Sequence, residues 1–492
     1  YLAWGMLFGL AYAQSPLYTS NQNQYFLHGL AQAGVGYMAE DWLASTADPT
    51  PVFSGLVAVT ARFLHPIVFY LYFLLLAAVY YHSLRQIAAQ FFNLQHSSLA
   101  GGVFAALLFA AHSAALRFTL GRGIGGVWEY AFDGGVAGQR LLGDVLQPSA
   151  FGALLLLSVQ QHMEGRSSRA LLAAALAASV HPTYLLSAAV LTAAYGVDAV
   201  RAKRRLSPAL QTAGLALLLV MPILIYVGRS FLPSSSEAQR ILVSFRLPAH
   251  AIPAEWLDGT VVAKLAWIGL AIYLARSTRL ASVMAVSLGI GVGLTVLQVG
   301  LNSDALALAF PWRISTILVP LATAVVAGAA AGRISSRARC SVLRVLVGLV
   351  IGLSVVSGAA GSGLRALQRR AAPERGVLEF VKTAKTPGQV YLIPPKLQDF
   401  RLATGAPIVA DFKSIPYRGD EVLEWYARVR LLGFFYRDQV AEIDCGLLAE
   451  FAIEYGVTHV VLEPDQRGLA CAGLTQLYDD GQYAVFELDL QR

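Results

Sequence analysis

Charge is scarce in this chain. Only 14% of its 492 residues are Asp, Glu, Lys or Arg, while 56% are hydrophobic and the mean hydropathy is +0.56. A soluble globular domain carries about 25% charged residues, so the composition argues against an ordinary cytosolic enzyme. Cysteine is scarcer still: there are three, with no CxxC or Cys/His spacing of the kind that holds zinc. Ionisable groups within the apolar runs are nearly absent, and Lys264 lies near the outer end of its run, where it can snorkel. Proton- or ion-coupled transport needs such groups at the membrane midplane and usually an internal repeat. Neither is found, and transport is disfavoured.

The charge that exists is unevenly spread. Residues 366–492 hold 14 Lys+Arg and 18 Asp+Glu, whereas the first 365 hold 23 and 12. A transmembrane helical domain over 1–365 followed by a soluble, mildly acidic domain over 366–492 accounts for this split. The net charge of +7 sits in short loops between apolar runs, so it gives no indication of nucleic-acid binding.

Apolar runs of spanning length, or nearly so, cover 64–82, 99–115, 148–162, 168–181, 183–199, 207–228, 259–275, 281–299, 313–332 and 345–361. An eleventh, from Tyr1 to Ala13, is cut by the chain start, and residues upstream of Tyr1 are expected. The linkers 82–98, 161–169, 200–206, 276–280 and 333–344 carry 13 Lys+Arg in 50 residues; the alternate loops 14–65, 116–147, 229–258 and 300–313 carry 8 in 128. The positive-inside rule makes the first set, with Cys340, cytoplasmic. The long loops 14–63, 116–147 and 229–258 and the C-terminal domain then lie outside. The expected class is a mainly α polytopic membrane protein of about 11 transmembrane helices with a C-terminal extracytoplasmic α/β domain.

Within that domain, Gln389–Ile393, Pro407–Ala410, Thr458–Leu462 and Tyr483–Leu488 read as strands. Asp420–Tyr436, with Asp420 as its cap, and Leu447–Tyr455, stopped by Gly456, read as helices. Cys445 and Cys471 both fall outside, where a disulfide persists, and closing that loop contributes about 3.5 kcal/mol in the chain-entropy model. Two unpaired thiols are the alternative.

The first outer loop is the most informative segment. It contains Asn21-Gln22-Asn23-Gln24-Tyr25, His28, Glu40-Asp41-Trp42 and Asp48, and no Lys or Arg between Gln14 and Ala61. A carboxylate at this face suits a general base, or a ligand for a divalent cation such as Mg or Mn that neutralises a phosphate leaving group. Asp41, which also qualifies as the metal ligand, is the leading catalytic candidate and Glu40 its rival; capping of an interfacial helix is the structural alternative. Trp42, Asn23, His28, Arg246, His250 and Arg313 are the substrate-binding candidates, the arginines for a lipid phosphate. Interface anchoring and ordinary packing are their structural alternatives.

The truncated first span, long acidic first loop, further spans and outer α/β domain resemble the GT-C superfamily of integral-membrane glycosyltransferases. The chain is similar to a bacterial branch through Asn21-Gln22-Asn23, Asp41-Trp42, Arg246-Leu247-Pro248-Ala249-His250 with Trp256, and Pro311-Trp312-Arg313. Asp399-Phe400-Arg401, Asp411-Phe412-Lys413 and Glu424-Trp425-Tyr426 add to it in the outer domain. Relatives often show two successive histidines where this chain has Ala249-His250, so a paired-histidine role is in doubt. The resemblance implies transfer of a sugar from a polyprenyl-phosphate-linked donor at the outer leaflet of a bacterial inner membrane, with the catalytic acid at Asp41. A non-catalytic subunit of a larger complex, or a lipid transporter, are the competing expectations.

Overall fold

The computed structural model describes residues 2–92, 94, 97–337, 340–436, 445–466, 471 and 473–489. Residues 93, 95, 96, 338 and 339 of two basic linkers, and the Cys340 side chain, lie outside the described set. Two compact units emerge: Tyr1–Gln14, Phe69–Arg229 and Leu242–Gly363 form the first, and Ser15–Val68, Ser230–Ile241 and Leu364–Arg492 the second. A cut near residue 365 is therefore only part of the division, because the first long loop folds with the C-terminal segment.

The first unit is helical, and each of the ten apolar runs lies mostly on helix, the run 64–82 from Val68 onward. Among the described residues, six helices suffice to cross a membrane: Val68–Phe92, Pro182–Lys203, Ser207–Phe231, Arg279–Gly300, Asp304–Ser336 and Ser341–Arg370. The pair Ser98–His112 and Ala114–Gly123, bent by 46°, makes a seventh if taken together. Leu2–Tyr12, Pro51–Phe63, Ser167–Val180 and Gly259–Leu274 are apolar but shorter. Burial sorts these helices. The most apolar window of Asp304–Ser336 is 89% buried, whereas that of Ser207–Phe231 is 6% buried, so the latter turns nearly all its apolar surface outward, as lipid requires. Phe8 anchors the bundle centre, its ring 5.8, 5.4 and 5.5 Å from Tyr80, Tyr81 and Phe109. This is a multi-pass membrane protein.

The second unit holds one four-stranded sheet: β1 (Tyr391–Leu392), β2 (His459–Leu462), β3 (Leu474–Asp479) and β4 (Ala484–Leu488), in the order β1-β2-β4-β3. β1 and β2 run parallel; β4 is antiparallel to β2 and to β3. Strand periodicity puts Val461 in one core with Val381, Phe400 and Ile408, while Val460 and Leu462 enter another with Leu432, Phe435 and Phe451. Both faces of the sheet are thus covered. Helix Cys445–Tyr455 ends at Gly456 (φ +66°), and Cys445 is disulfide-bonded to Cys471 with 5.6 Å between Cα atoms.

Two local expectations need correction. Pro407–Ala410 makes only an isolated bridge, Ile408 to Tyr391, and no strand. Tyr391 N bonds Pro407 O at 3.0 Å and Val409 N bonds Tyr391 O at 3.2 Å, while the Ile408 N–H, on the other edge, goes to the Asp41 carboxylate at 3.0 Å rather than to a further strand. Asp420 does not cap its helix, which runs Gly419–Phe435; it lies in the first turn and accepts two bonds from Arg418, at 2.7 and 2.9 Å. That contact holds its carboxyl below the usual range.

Candidate functional site

The first-loop candidates are built into the second unit. Asp41 begins a short 3-10 helix, Trp42–Ser45, and its Oδ1 accepts from Leu43 N at 2.9 Å. Its Oδ2 accepts from Arg401 Nε at 2.8 Å and from Ile408 N at 3.0 Å. Arg401 in turn gives Nη1 to Asp411 Oδ2 at 2.9 Å, and Asp411 Oδ1 takes Ser414 N at 2.6 Å. The side chains of Asp41, Arg401 and Asp411 are 0, 2 and 1% exposed. Three donors and complete burial leave the Asp41 carboxylate no route to a reacting hydroxyl in this conformation, and the cation that neutralises it is a protein arginine.

Its neighbours are engaged in the same way. Glu40 Oε2 accepts Gly388 N at 2.8 Å, and Trp42 lies 4.2 Å under the Arg428 guanidinium. Asn23 gives Nδ2 to Asp399 at 2.6 Å, and His28 gives Nε2–H to Thr46 O at 3.2 Å. Gln24 exchanges two bonds with the Ile415 backbone, in the manner of a strand pair. These polar loop residues knit residues 15–68 to the C-terminal segment.

A different polar site lies in the first unit, where the loop 116–147 makes a small hairpin. Gly134 bridges Arg140, Gly135 N bonds Gln139 O at 2.7 Å, and Gln139 N bonds Val136 O at 3.3 Å. The two central residues, Ala137 (φ +56°) and Gly138 (φ +63°), are both left-handed, as a type I′ turn demands. Close approach fixes the hairpin: a Cβ on Gly135 would meet Ser315 Oγ at 2.5 Å. Side chains from outside the hairpin then grip its backbone. Lys264 Nζ donates to Gly135 O at 2.8 Å, His250 Nδ1–H to Ala137 O at 2.6 Å, and Val136 N to Ser315 Oγ at 2.8 Å. Trp256 and Trp312 pack edge to face beneath it, with centroids 5.7 Å apart, in a core with Val136, Ala137 and Val261.

The hairpin closes one side of a cavity of about 350 Å³ whose lining includes Gln139, Arg140, His250, Trp256 and Lys264, with Glu129, Glu255 and Asp258. The Arg140 guanidinium lies 4.0 Å over the Tyr130 ring, and Tyr130 OH donates to Asp144. Arg117 bonds the same Asp144 oxygen at 3.1 Å and lies 4.0 Å over Tyr12, whose OH donates to Asp133 at 2.8 Å. This alternation of cation and ring fixes Arg140 in place. Burial opposes the Arg140 charge, but Tyr130, Tyr12, Asp144 and Asp133 outweigh it and hold its pKa above the ordinary arginine value. Asp258 is committed to capping Gly259–Leu274 through Thr260 N and Val261 N. Gln139 is 6% exposed and neither amide atom has a hydrogen-bond partner; nor does the Trp256 indole N–H, at 7% exposure.

Of the six substrate-binding candidates, His250 alone lines this cavity. Arg246 ends the π-helix Ile241–Arg246 and is outside the lining. Arg313 donates Nη1 to His181 Nε2 at 3.2 Å, following Phe310, held at φ +51°. Gln139 and Arg140 went unrecognised in the sequence. The signal there was the Gly134-Gly135 and Gly138 spacing around a tight turn, followed at once by Arg140.

Among the described residues no three His, Cys, Asp or Glu side chains converge, and Asp41, the expected metal ligand, already carries Arg401.

Residues 372–432 match the model of a domain of unknown function, DUF6798. No curated protein matches the chain. Among solved structures, the chain is similar to ArnT from Cupriavidus metallidurans, crystallised bound to undecaprenyl phosphate. The similarity covers 99% of this chain and 96% of that one at 13% identity, with a TM-score of 0.50. At that identity the likeness speaks to architecture alone: the chain shares the overall fold of that ArnT structure.

Proposed function

We propose that the protein moves a sugar from a polyprenyl-phosphate-linked donor to a cell-envelope acceptor at the outer leaflet of a bacterial inner membrane. The cavity under the Val136–Gln139 turn carries this reading, because it sets two cations, half-buried Arg140 and buried Lys264, beside buried hydrogen-bonding groups of Gln139 and Trp256 that have no protein partner. The fold shared with ArnT, which binds undecaprenyl phosphate, supports the lipid class. In the reaction, an acceptor hydroxyl attacks the anomeric carbon as the bond from that carbon to the phosphate oxygen breaks. The electron pair leaves on the lipid phosphate, where Arg140 and Lys264 stabilise the developing charge. The hydroxyl proton goes to a carboxylate at the cavity, and with Asp258 committed to its cap, Glu129 and Glu255 are the groups assigned to take it. Asp41 is assigned to holding the first loop on the C-terminal segment.

The test is transfer by the full-length protein in nanodiscs, given undecaprenyl-phosphate hexoses and a membrane extract as acceptor, followed by release of undecaprenyl phosphate. Arg140→Ala is expected to lower release about 10- to 100-fold, the worth of a charge-assisted phosphate contact. Release that Arg140→Ala leaves unchanged contradicts the assignment. The engagement of Asp41 by Arg401 favours a second reading, a non-catalytic subunit. That reading is supported if the protein binds the lipid but turns over no donor.

A further inference from the structure

We infer that Gln139 and Trp256 form a subsite for a hydroxyl of the donor sugar, placed beside the lipid-phosphate position and separate from it. This rests on the transfer reading above and says which part of the donor each group recognises. The starting observation is one of hydrogen-bond accounting. Gln139 lines the cavity, is 94% buried, and has neither Nε2 nor Oε1 bonded; Trp256 lines the same cavity with its indole N–H unbonded. A buried polar group without a partner is expensive, and such groups are rare in folded proteins unless a ligand or water uses them.

The types of atom decide what that ligand is. Trp256 Nε1 and Gln139 Nε2 are donors, and a phosphate oxygen satisfies either one. Gln139 Oε1 is an acceptor, and an ionised phosphate has no proton to give it. A hydroxyl both donates and accepts, so it meets both ends of the amide. A carboxylate set against the amide leaves Oε1 unmet, and an ammonium set there leaves Nε2 unmet, so the contacting group is a hydroxyl. The position agrees with the chemistry: Gln139 and Arg140 line the same cavity, so a sugar bonded to the amide can belong to a lipid whose phosphate the guanidinium holds. The terminal torsion of a glutamine is soft, which lets the amide turn toward what enters. The turn below it does not share that freedom, because His250, Lys264 and Ser315 hold its backbone. The result is a fixed mount with an adjustable end, which suits recognition of one hydroxyl pattern over another.

The experiment compares binding of bare undecaprenyl phosphate with that of undecaprenyl phosphate carrying glucose, galactose or mannose, to the full-length protein in nanodiscs. The wild type is expected to bind at least one hexose-bearing lipid about tenfold more tightly than the bare lipid. Gln139→Leu is expected to erase that ratio while leaving the bare-lipid Kd in place, and retained bare-lipid binding shows that the variant is folded. Trp256→Phe, which removes the N–H and keeps a ring, is expected to reduce the ratio several-fold and decides the matter if Gln139→Leu does not fold. Equal binding of bare and hexose-bearing lipids by the wild type overturns the subsite, as does a ratio unchanged in both variants. Arg140→Ala separates the two ideas: it weakens all the lipids together if the phosphate lies there. If its bare-lipid Kd is that of the wild type, the phosphate position fails on its own account.

Discussion

Arg401→Leu is expected to destabilise the second unit by about 3–5 kcal/mol, the largest effect of any single substitution considered for this protein. The variant would leave the Asp41 and Asp411 carboxylates, 0 and 1% exposed, without the guanidinium that bonds both. Their remaining donors, Leu43 N, Ile408 N and Ser414 N, satisfy lone pairs but carry no full charge. Asp41→Asn should cost less, about 1–3 kcal/mol, since the amide can still accept one or two of those bonds. Hydrogen exchange on the intact protein in detergent checks both. Faster exchange at Leu43, Ile408 and Ser414 follows if Asp41 is a clamp. Unchanged exchange in Asp41→Asn, together with abolished transfer, would return Asp41 to the catalytic role its sequence neighbourhood advertises.

The second large effect concerns the lipid. The double variant Arg140→Ala with Lys264→Met is expected to weaken binding of undecaprenyl phosphate by about 100-fold or more, since each cation contributes a charge-assisted contact. Methionine keeps much of the volume of the lysine stem, so the bond lost from Lys264 to Gly135 O is the main structural cost. Lys382→Met in the second unit is the matched control, removing an exposed charge remote in chain order from the hairpin. Equal binding by the double variant and the control would remove the phosphate from this cavity.

The helices were legible in sequence because the signal is local and large: a membrane span is a continuous apolar run, and all ten runs lie mostly on helix. Their number was less so, since Leu2–Tyr12, Ser167–Val180 and Gly259–Leu274 are short of a full crossing and only packing decides how they are used. The C-terminal strands β2 and β4 were legible from Val-rich runs and Gly punctuation. Pro407–Ala410 was not: it makes one bridge to Tyr391, and its other edge bonds a carboxylate 367 residues away in sequence rather than a strand. The same distance problem governed the site. Asp41 looked like a reactive acid in a loop without Lys or Arg; its cation, Arg401, lies 360 residues later. Gln139 and Arg140 were obscured in the opposite way. What makes them a site is a backbone turn at Ala137 and Gly138 and the helices that grip it, and neither leaves a motif beyond a few glycines.

The most direct measurement is a cryo-electron-microscopy structure of the full-length protein in nanodiscs with undecaprenyl phosphate. The phosphate is predicted against Arg140 and Lys264 under the Val136–Gln139 turn, with Asp41 still bonded to Arg401. A phosphate seated elsewhere while that cavity holds only water, or Asp41 released from Arg401 to face the lipid, would contradict the account.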